Sequence, residues 1–346
     1  MIPEKRLTVK KTVPLLLIGL LAFVLYLYFF VGIGEMVQIL RQADPFFYSL
    51  AFAFAFLDAF FFSLAWRYFL LPLSVKTSLR RTYLFVWVGT FVDILVPAES
   101  VSGEVSRAYL MSKSSGGNAG EVAASVVGHR IVNMTIFLSS LILSSTLIIL
   151  KPELHEPLIL NLLVIAAVVT AISIFLLWLL SVRERTTWKI IDRILRLTAF
   201  LSRGRWSLAA LRTRAQKTLK AFRQGINVLG RRPRNFILPI AFSVAAWVST
   251  FLISILVFLS LGQTVPLSIL FIVFSISNAV QVAPLGVPVG IMEIVMTWLY
   301  KSFGVLPGVS AAATILTRVV TLGFRLLVGY IATQLVEIKV LTGSLR

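Results

Sequence analysis

The sequence predicts an all-α, polytopic membrane protein with about six full spans and two re-entrant or broken-helix hairpins, arranged as an inverted repeat. Of its 346 residues, 58% are hydrophobic and 14% are charged, whereas soluble domains carry about 25% charged residues. Several apolar runs exceed the roughly 20 residues that a helix needs to cross a bilayer. Because these runs are continuous rather than alternating, they favour helices over a β-barrel.

Six of the apolar runs are long enough to be full spans. The first follows the basic residues of 1–12 and is longer than the apolar core of a signal peptide, so we expect it to be retained as a helix. The chain is expected to form one transmembrane domain over 1–346, with a first half at 13–150 and a second half at 157–336. The predicted spans are 13–34, 46–71, 122–150, 157–180, 236–261 and 309–336.

Two further apolar segments, 83–96 and 267–303, end or break at residues rich in proline and glycine. Irregular backbone is tolerated at membrane depth only where it is buried in protein or lines a wet cavity. Each segment is therefore predicted to belong to a re-entrant hairpin or to a pair of short tilted helices. The breaks lie at Pro97, Gly103, Pro284 and Gly290.

The distribution of positive charge sets the expected orientation. The formal net charge is +19, which in a membrane protein indicates basic cytoplasmic loops and not a nucleic-acid partner. Residues 183–234 alone contain fifteen Lys and Arg and two acids. With this segment and both termini inside, the outer loops hold only Arg41 and Lys151 as basic residues. We expect a multi-pass protein of the plasma membrane with both termini in the cytoplasm.

The basic segment 183–234 also has the apolar periodicity of two amphipathic helices. The second carries a stripe that includes Leu219, Phe222, Ile226 and Leu229. Two interpretations are open. The segment is either a docked cytoplasmic subdomain or a helix pair that lies in the plane of an anionic membrane surface.

The two halves share a unit of span, hairpin and span with the same order of proline, glycine, glutamate and arginine. Glu104 precedes Arg130 by 26 residues, and Glu293 precedes Arg318 by 25 residues. With the orientation set by positive charge, the first hairpin enters from inside and the second from outside, so the units are inverted. Inverted repeats with broken helices at corresponding positions indicate an alternating-access transporter whose site lies where the hairpins meet.

Charged side chains within the predicted membrane segments are the candidate binding residues. A charge at the bilayer centre costs about 2.5–3.5 kcal/mol, so such residues pair or line a pathway. Arginine suits phosphate because its planar fork donates two parallel hydrogen bonds. The alternative is that each Glu–Arg pair merely pins a hairpin to its neighbouring helix. The candidates for substrate binding are Arg130, Arg318, Glu104, Glu293, Arg107 and Asp93, with Arg325 as a further balancing charge.

Asp58 and His129 are candidates for a coupling role because both lie within predicted spans. The alternatives are a protonated or hydrogen-bonded Asp58 and a hydrogen-bonded interhelical His129. The chain has no cysteine and only two histidines, which argues against thiolate chemistry and histidine-rich metal sites. We expect no catalytic residue, no metal and no cofactor.

The hairpin motifs resemble the two signatures of the lysylphosphatidylglycerol synthase transmembrane family, which is flippase-like. The resemblance covers nearly the whole chain, and it implies movement of aminoacylated or other phospholipids between leaflets. Bifunctional members append a soluble aminoacyl transferase domain, which we do not expect in a chain that stops at Arg346. The motifs read Pro97…Gly103-Glu104-Val-Ser-Arg107 followed by Arg130, and Pro284…Gly290-Ile-Met-Glu293 followed by Arg318.

The leading hypothesis is a lipid translocator that moves a phospholipid headgroup, anionic or aminoacylated, between leaflets. One alternative is a non-transporting membrane partner of a separate transferase. Another is an intramembrane lipid-modifying enzyme that uses Glu104 or His129 as its base, and release of a new lipid product would identify it.

The orientation can be tested with single cysteines, since the chain has none of its own. Ser207→Cys should be protected from an impermeant thiol reagent in intact cells, because basic loops remain in the cytoplasm. Glu153→Cys, in a predicted outer loop, is the control and should react in intact cells. Labelling of Ser207→Cys without permeabilisation would overturn the orientation.

Overall fold

The computed structural model describes residues 33–73, 75–96, 101–115, 118–154, 156–183, 187–193, 195, 208–282 and 290–341, and within these ranges the regular elements are helical. A π-helical segment, Val319–Phe324, joins the last two α-helices. The α-helices are α1 (Ile33–Arg41), α2 (Pro45–Leu70), α3 (Leu79–Leu95), α4 (Val101–Ser115), α5 (Ala119–Leu150), α6 (Pro157–Val182), α7 (Leu208–Gly230), α8 (Arg234–Ser260), α9 (Leu267–Val282), α10 (Ile291–Ser302), α11 (Pro307–Arg318) and α12 (Arg325–Leu341).

Five helical stretches are long and apolar enough to cross a membrane, and they coincide with five of the six predicted spans. The sixth predicted span, 13–34, lies almost entirely outside the described residues. The prediction of an all-α polytopic membrane protein is confirmed. The predicted breaks at Pro97 and Pro284 lie outside the described residues, whereas Gly103 lies in the first turn of α4 and Gly290 directly precedes α10. The five stretches are Pro45–Leu73, Ala119–Leu150, Pro157–Val182, Arg234–Ser260 and Pro307–Val336.

Each of the helices α2 to α5 of the first unit has a counterpart in the second unit that begins 188 to 190 residues later in the chain. By the same spacing, the end of α1 at Arg41 corresponds to the end of α7 at Gly230. The basic amphipathic helix α7 is therefore the counterpart of α1. In the chain, α6 comes after the first unit and before the second. The paired starts are Pro45 and Arg234, Leu79 and Leu267, Val101 and Ile291, and Ala119 and Pro307.

Equivalent helices of the two units pack in opposite directions. Before the start of α2, the Asp44 amide donates to the Ser260 carbonyl at the end of α8, at 2.6 Å. Near the other end of this pair, the Phe69 ring of α2 lies 5.6 Å from the Phe236 ring of α8. Other contacts are reciprocal, since α3 packs on α12 as α9 packs on α5, and α1 packs on α11 as α7 packs on α5. This is the arrangement that an inverted repeat predicts.

The buried apolar residues form two clusters that divide the length of α2. One cluster joins Ala51 and Ala55 of α2 to α9, α10 and α11. The other joins the part of α2 from Ala59 onward to α3 and to Met111 of α4. Since α2 is long enough to span a membrane, the hairpin of each unit packs near a different end of the bundle.

Helix α7 packs on α5 through its apolar stripe, as in the docked interpretation of the basic segment. Leu219, Ala221 and Leu229 are buried. The helices approach closely because Gly225 faces Ala124, and a Cβ on this glycine would lie 2.7 Å from the Ala124 Cβ. The sequence pattern is explained by this contact, which covers the apolar face and leaves the basic face outside.

Gly225 allows a test of this docking. Gly225→Leu should lower the free energy of unfolding by about 1–3 kcal/mol, because the added side chain overpacks the contact between α5 and α7. Trypsin should then cleave faster at the exposed Lys217 and Lys220. Gly230→Leu is the matched control on the same helix, since a Cβ there meets nothing within 4 Å. Equal thermal stability and equal proteolysis of the two variants would contradict the docking.

Candidate functional site

The hairpin of the first unit brings Glu104 next to an arginine of the following span. Glu104, in the first turn of α4, accepts a hydrogen bond from Arg130 of α5, with 2.9 Å between Arg130 Nη1 and Glu104 Oε2. The expected contact of Glu104 with Arg130, or with its repeat counterpart Arg318, is made with Arg130. Arg107 Nη2 lies 3.8 Å from the other oxygen, Glu104 Oε1. One carboxylate therefore faces two guanidinium groups.

Asp93, near the end of α3, holds the start of α4. Its Oδ1 accepts hydrogen bonds from Ser102 Oγ at 2.8 Å and from the Gly103 amide at 2.6 Å. An acidic side chain is favourable there because the free amides of a helix N-terminus carry partial positive charge. A Cβ on Gly103 would collide with the Asp93 carboxylate and the Gly89 carbonyl, so glycine lets the two arms of the hairpin touch. In the structure, this candidate binding residue therefore links the two helices of the hairpin, α3 and α4.

Arg107 is buried, with 3% of its surface exposed. Its guanidinium lies 5.0 Å from the centre of the Phe62 ring and 4.8 Å from that of Trp66, which are cation–π distances. Both terminal nitrogens lie 3.4 Å from Nδ1 of His129. Since arginine can only donate, Nδ1 accepts, and this assigns the proton of a neutral imidazole to Nε2.

The second unit repeats the glutamate–arginine pair with a tighter geometry. Glu293 Oε1 lies 2.6 Å from Nε of Arg318. Its other oxygen accepts a 2.5 Å hydrogen bond from the Gly290 amide, at the start of α10. Gly290 has a φ of +96°, a conformation that glycine adopts without a steric penalty. A hydrogen bond from Thr297 to Thr314, at 3.2 Å, continues the contact between α10 and α11.

The two units differ in exposure. The side chains of Glu104 and Arg130 are each 18% exposed, whereas those of Glu293 and Arg318 are 5% and 9% exposed. The first pair is therefore partly exposed, and the second is almost fully buried.

The units also differ in composition. At the repeat spacing, Met296 stands in the second unit where the first has Arg107, and Thr317 stands where the first has His129. The first unit thus has a second arginine near its glutamate, and a histidine next to that arginine, which the described residues of the second unit lack.

Asp58 forms an ion pair that sequence reasoning did not assign. Its Oδ2 lies 2.8 Å from Nη2 of Arg325, which links α2 to α12. Both residues are charges within predicted spans, but a sequence separation of 267 residues carries no signal of the pairing. This pair satisfies Asp58 with a neighbouring helix, in agreement with one of the alternatives for that residue. Among the described residues, no group of three or more His, Asp or Glu is placed to hold a metal ion.

A bundle of spanning helices built from two oppositely directed units, each with a hairpin-borne Glu–Arg pair, defines a class of polytopic membrane protein. The chain belongs to the family described as the lysylphosphatidylglycerol synthase TM region, whose model matches residues 16–329. The resemblance found in the hairpin motifs is therefore confirmed.

Relatives of nearly the same length are found in several organisms. The chain is 25% identical over 337 residues to a UPF0104 membrane protein of Methanocaldococcus jannaschii, an alignment that covers 96% of this chain and 97% of the relative. It is 26% identical over 309 residues to a UPF0104 membrane protein of Methanothermobacter thermautotrophicus, with 89% and 90% covered. A UPF0104 membrane protein of Pyrococcus horikoshii is 24% identical over 321 residues, with 91% and 94% covered. The comparison with solved structures found no match.

The difference in exposure predicts unequal costs of neutralising the two glutamates. Glu293→Gln should destabilise the protein by about 3–5 kcal/mol, because it removes the negative charge that faces Arg318 in a buried site. Glu104→Gln should cost less, since its partner is partly exposed. Thermal unfolding in detergent measures both, and adding Arg318→Gln to Glu293→Gln should restore part of the loss. A double variant whose loss is the sum of the two single losses would show that the pair contributes no coupling.

Proposed function

We propose that this protein is a lipid translocator that moves a phospholipid headgroup between the leaflets of the plasma membrane. The observation that carries the proposal is the placement of two equivalent Glu–Arg pairs on hairpins that pack near opposite ends of one bundle. Movement of one hairpin would open its arginine to one side of the membrane, and movement of the other would open the second arginine to the opposite side. Inverted units of this kind are the usual basis of alternating access.

The positions of the charges within the bundle support a pathway through its middle. On α2, Asp58 lies between Ala55 of one apolar cluster and Ala59 of the other. On α5, Arg130 lies close to Val132, the last buried residue of its cluster on that helix. Such depth is costly for a charge, so ionisable residues there commonly line the path of a polar substrate.

The chemistry of the proposed step is an exchange of anions. Arg130 and Arg318 each hold a carboxylate in the closed structure. A phosphate diester offers the same pattern of acceptor oxygens, and a guanidinium binds either one through two parallel hydrogen bonds. The headgroup would displace each glutamate in turn, and no covalent step is part of this proposal.

The basic helix α7 supports the proposed orientation. Its Leu229 belongs to the apolar cluster that also contains the first hairpin. Since segments rich in Lys and Arg remain in the cytoplasm, this end of the bundle is proposed to face the cytoplasm, and the second hairpin to face outward.

The substrate is proposed to be an anionic or aminoacylated phospholipid. The charges of the membrane arginines require an anionic group, and the family description names the synthase of an aminoacylated phosphatidylglycerol. A separate transferase that supplies such a lipid would be a natural partner.

Arginine-to-lysine changes test the proposal. Arg130→Lys with Arg318→Lys keeps both charges but removes the bidentate fork. Loss of a hydrogen bond to a charged group costs about 1.5–3 kcal/mol, so lipid exchange should fall by on the order of tenfold or more. The assay measures exchange of fluorescent or aminoacylated phosphatidylglycerol between leaflets of proteoliposomes, relative to protein-free vesicles.

Arg231→Lys is the matched control, because Arg231 is exposed at the end of α7 and should leave exchange unchanged. Exchange that persists in the double variant would reduce the two arginines to structural ion pairs. Absence of exchange by the wild-type protein, with anionic, zwitterionic and polyprenyl-linked lipids alike, would overturn the translocator and favour the partner of a separate transferase.

A further inference from the structure

Arg107 has more hydrogen-bond donors than its surroundings can satisfy. A guanidinium carries five N–H donors, and the described residues offer it one hydrogen-bond acceptor, Nδ1 of His129. Its Nε is buried without a partner among the described residues. The nearest carboxylate oxygen, of Glu104, lies 3.8 Å away, beyond hydrogen-bond distance. A buried cation with unused donors is costly unless an acceptor-rich group completes it.

The carboxylate of Glu104 lies between Arg107 and Arg130 as a small anion would. One oxygen is bound by Arg130 at 2.9 Å, and the other points toward Arg107 at 3.8 Å. A phosphate diester, like a carboxylate, has one negative charge and two strongly accepting oxygens, but these oxygens lie farther apart. The wider spacing suits two guanidinium groups that the carboxylate does not fully bridge.

The second unit is the internal comparison. There Glu293 meets one arginine at 2.6 Å, and its second oxygen is taken by the Gly290 amide. Met296 stands where the first unit has Arg107. The glutamate of the second unit thus faces one arginine within salt-bridge distance among the described residues, whereas that of the first faces two.

We infer that Glu104 occupies the phosphate subsite of the first unit, between Arg107 and Arg130, and competes with the lipid headgroup for it. The inference rests on the proposed function and deepens it. It assigns the resting headgroup site to the first unit, with a phosphate diester of an anionic phospholipid as the ligand. The equivalent pair of the second unit is then a closed ion pair in this state, without a second arginine to bind a headgroup.

If Glu104 competes with the headgroup, neutralising Glu104 should lower the dissociation constant for the anion. A purely structural ion pair predicts no such change. Removing the negative charge of Glu104 should strengthen anion binding, because a like charge beside a bound anion is unfavourable. For Glu104→Gln we expect a dissociation constant for dihexanoyl phosphatidylglycerol that is lower by on the order of tenfold. Glu153→Gln, the matched control, neutralises an exposed acid of an outer loop and should leave this dissociation constant unchanged.

Arg107→Met tests the second guanidinium, since methionine is the residue at the equivalent position of the second unit. Arg107→Met should weaken binding by on the order of tenfold or more, and Glu104→Gln should not restore it in the double variant. Should Arg107→Met fail to fold, Arg107→Lys, which keeps the charge, replaces it and should bind more weakly than the wild type. Binding is measured on the purified full-length protein in detergent, with dihexanoyl phosphatidylcholine and inorganic phosphate as the other two probes.

The outcomes separate this inference from the proposed function. Tighter binding by Glu104→Gln but not by Glu153→Gln supports the subsite, and weaker or equal binding by Glu104→Gln overturns it. Binding of inorganic phosphate without phosphatidylglycerol would overturn the lipid as the source of the phosphate. Exchange in proteoliposomes by a wild-type protein that fails the binding test would leave the translocator standing without this subsite. The binding pattern without any exchange would leave the subsite standing and overturn the translocator.

Discussion

A charge inside a bilayer has to be paired, and the described part of this bundle is organised around that constraint. Three ion pairs within the bundle each join different helices: Glu104 with Arg130, Glu293 with Arg318, and Asp58 with Arg325. Because an unpaired charge at this depth is expensive, each pair restricts where its helices can lie. The two hairpin pairs hold each hairpin to the next span, and the third joins a helix of the first unit to a helix of the second. The apolar clusters fill the space on either side.

The same constraint explains which contacts were predictable. Glu104 and Arg130 belong to one repeating unit, and the matching separations of 26 and 25 residues mark both hairpin pairs in the sequence itself. Asp58 and Arg325 belong to different units, so their meeting depends on how the units dock. The antiparallel direction of equivalent helices was foreseeable, since inverted units must place them so. The register in which these helices pack was not. The register of α2 against α8 depends on side-chain shapes such as those of Phe69 and Phe236.

The helix that precedes α2 and its counterpart α7 show a second limit of sequence reasoning. The equivalence of α7 and α1 was not visible in the sequence, because the repeat was recognised from the hairpin motifs alone. The basic composition of α7 also gave no sign of it. Its docking was one of two open interpretations, and a stripe of apolar residues fits either a protein surface or a membrane surface. Gly225 opposite Ala124 shows a close approach of α7 to α5, as the docked interpretation expects of this helix. The breaks at Pro97 and Pro284 lie outside the described residues, so re-entry of the hairpins stays a prediction.

The π-helical segment between Arg318 and Arg325 has a geometric consequence for the last span. In a regular α-helix two residues seven apart are separated by nearly two full turns and point the same way, at about 100° per residue. The π turn accommodates an additional residue and so rotates everything after it by roughly that angle. Arg318 thereby faces α10 while Arg325 faces α2. The Leu316 carbonyl, just before the segment, accepts the Tyr48 hydroxyl at 3.3 Å. In the first unit α5 is a continuous helix from Ala119 to Leu150 and presents Arg130 alone. One inserted residue thus lets a single span bind two neighbours through two arginines, and it breaks the equivalence of two units that otherwise share one plan.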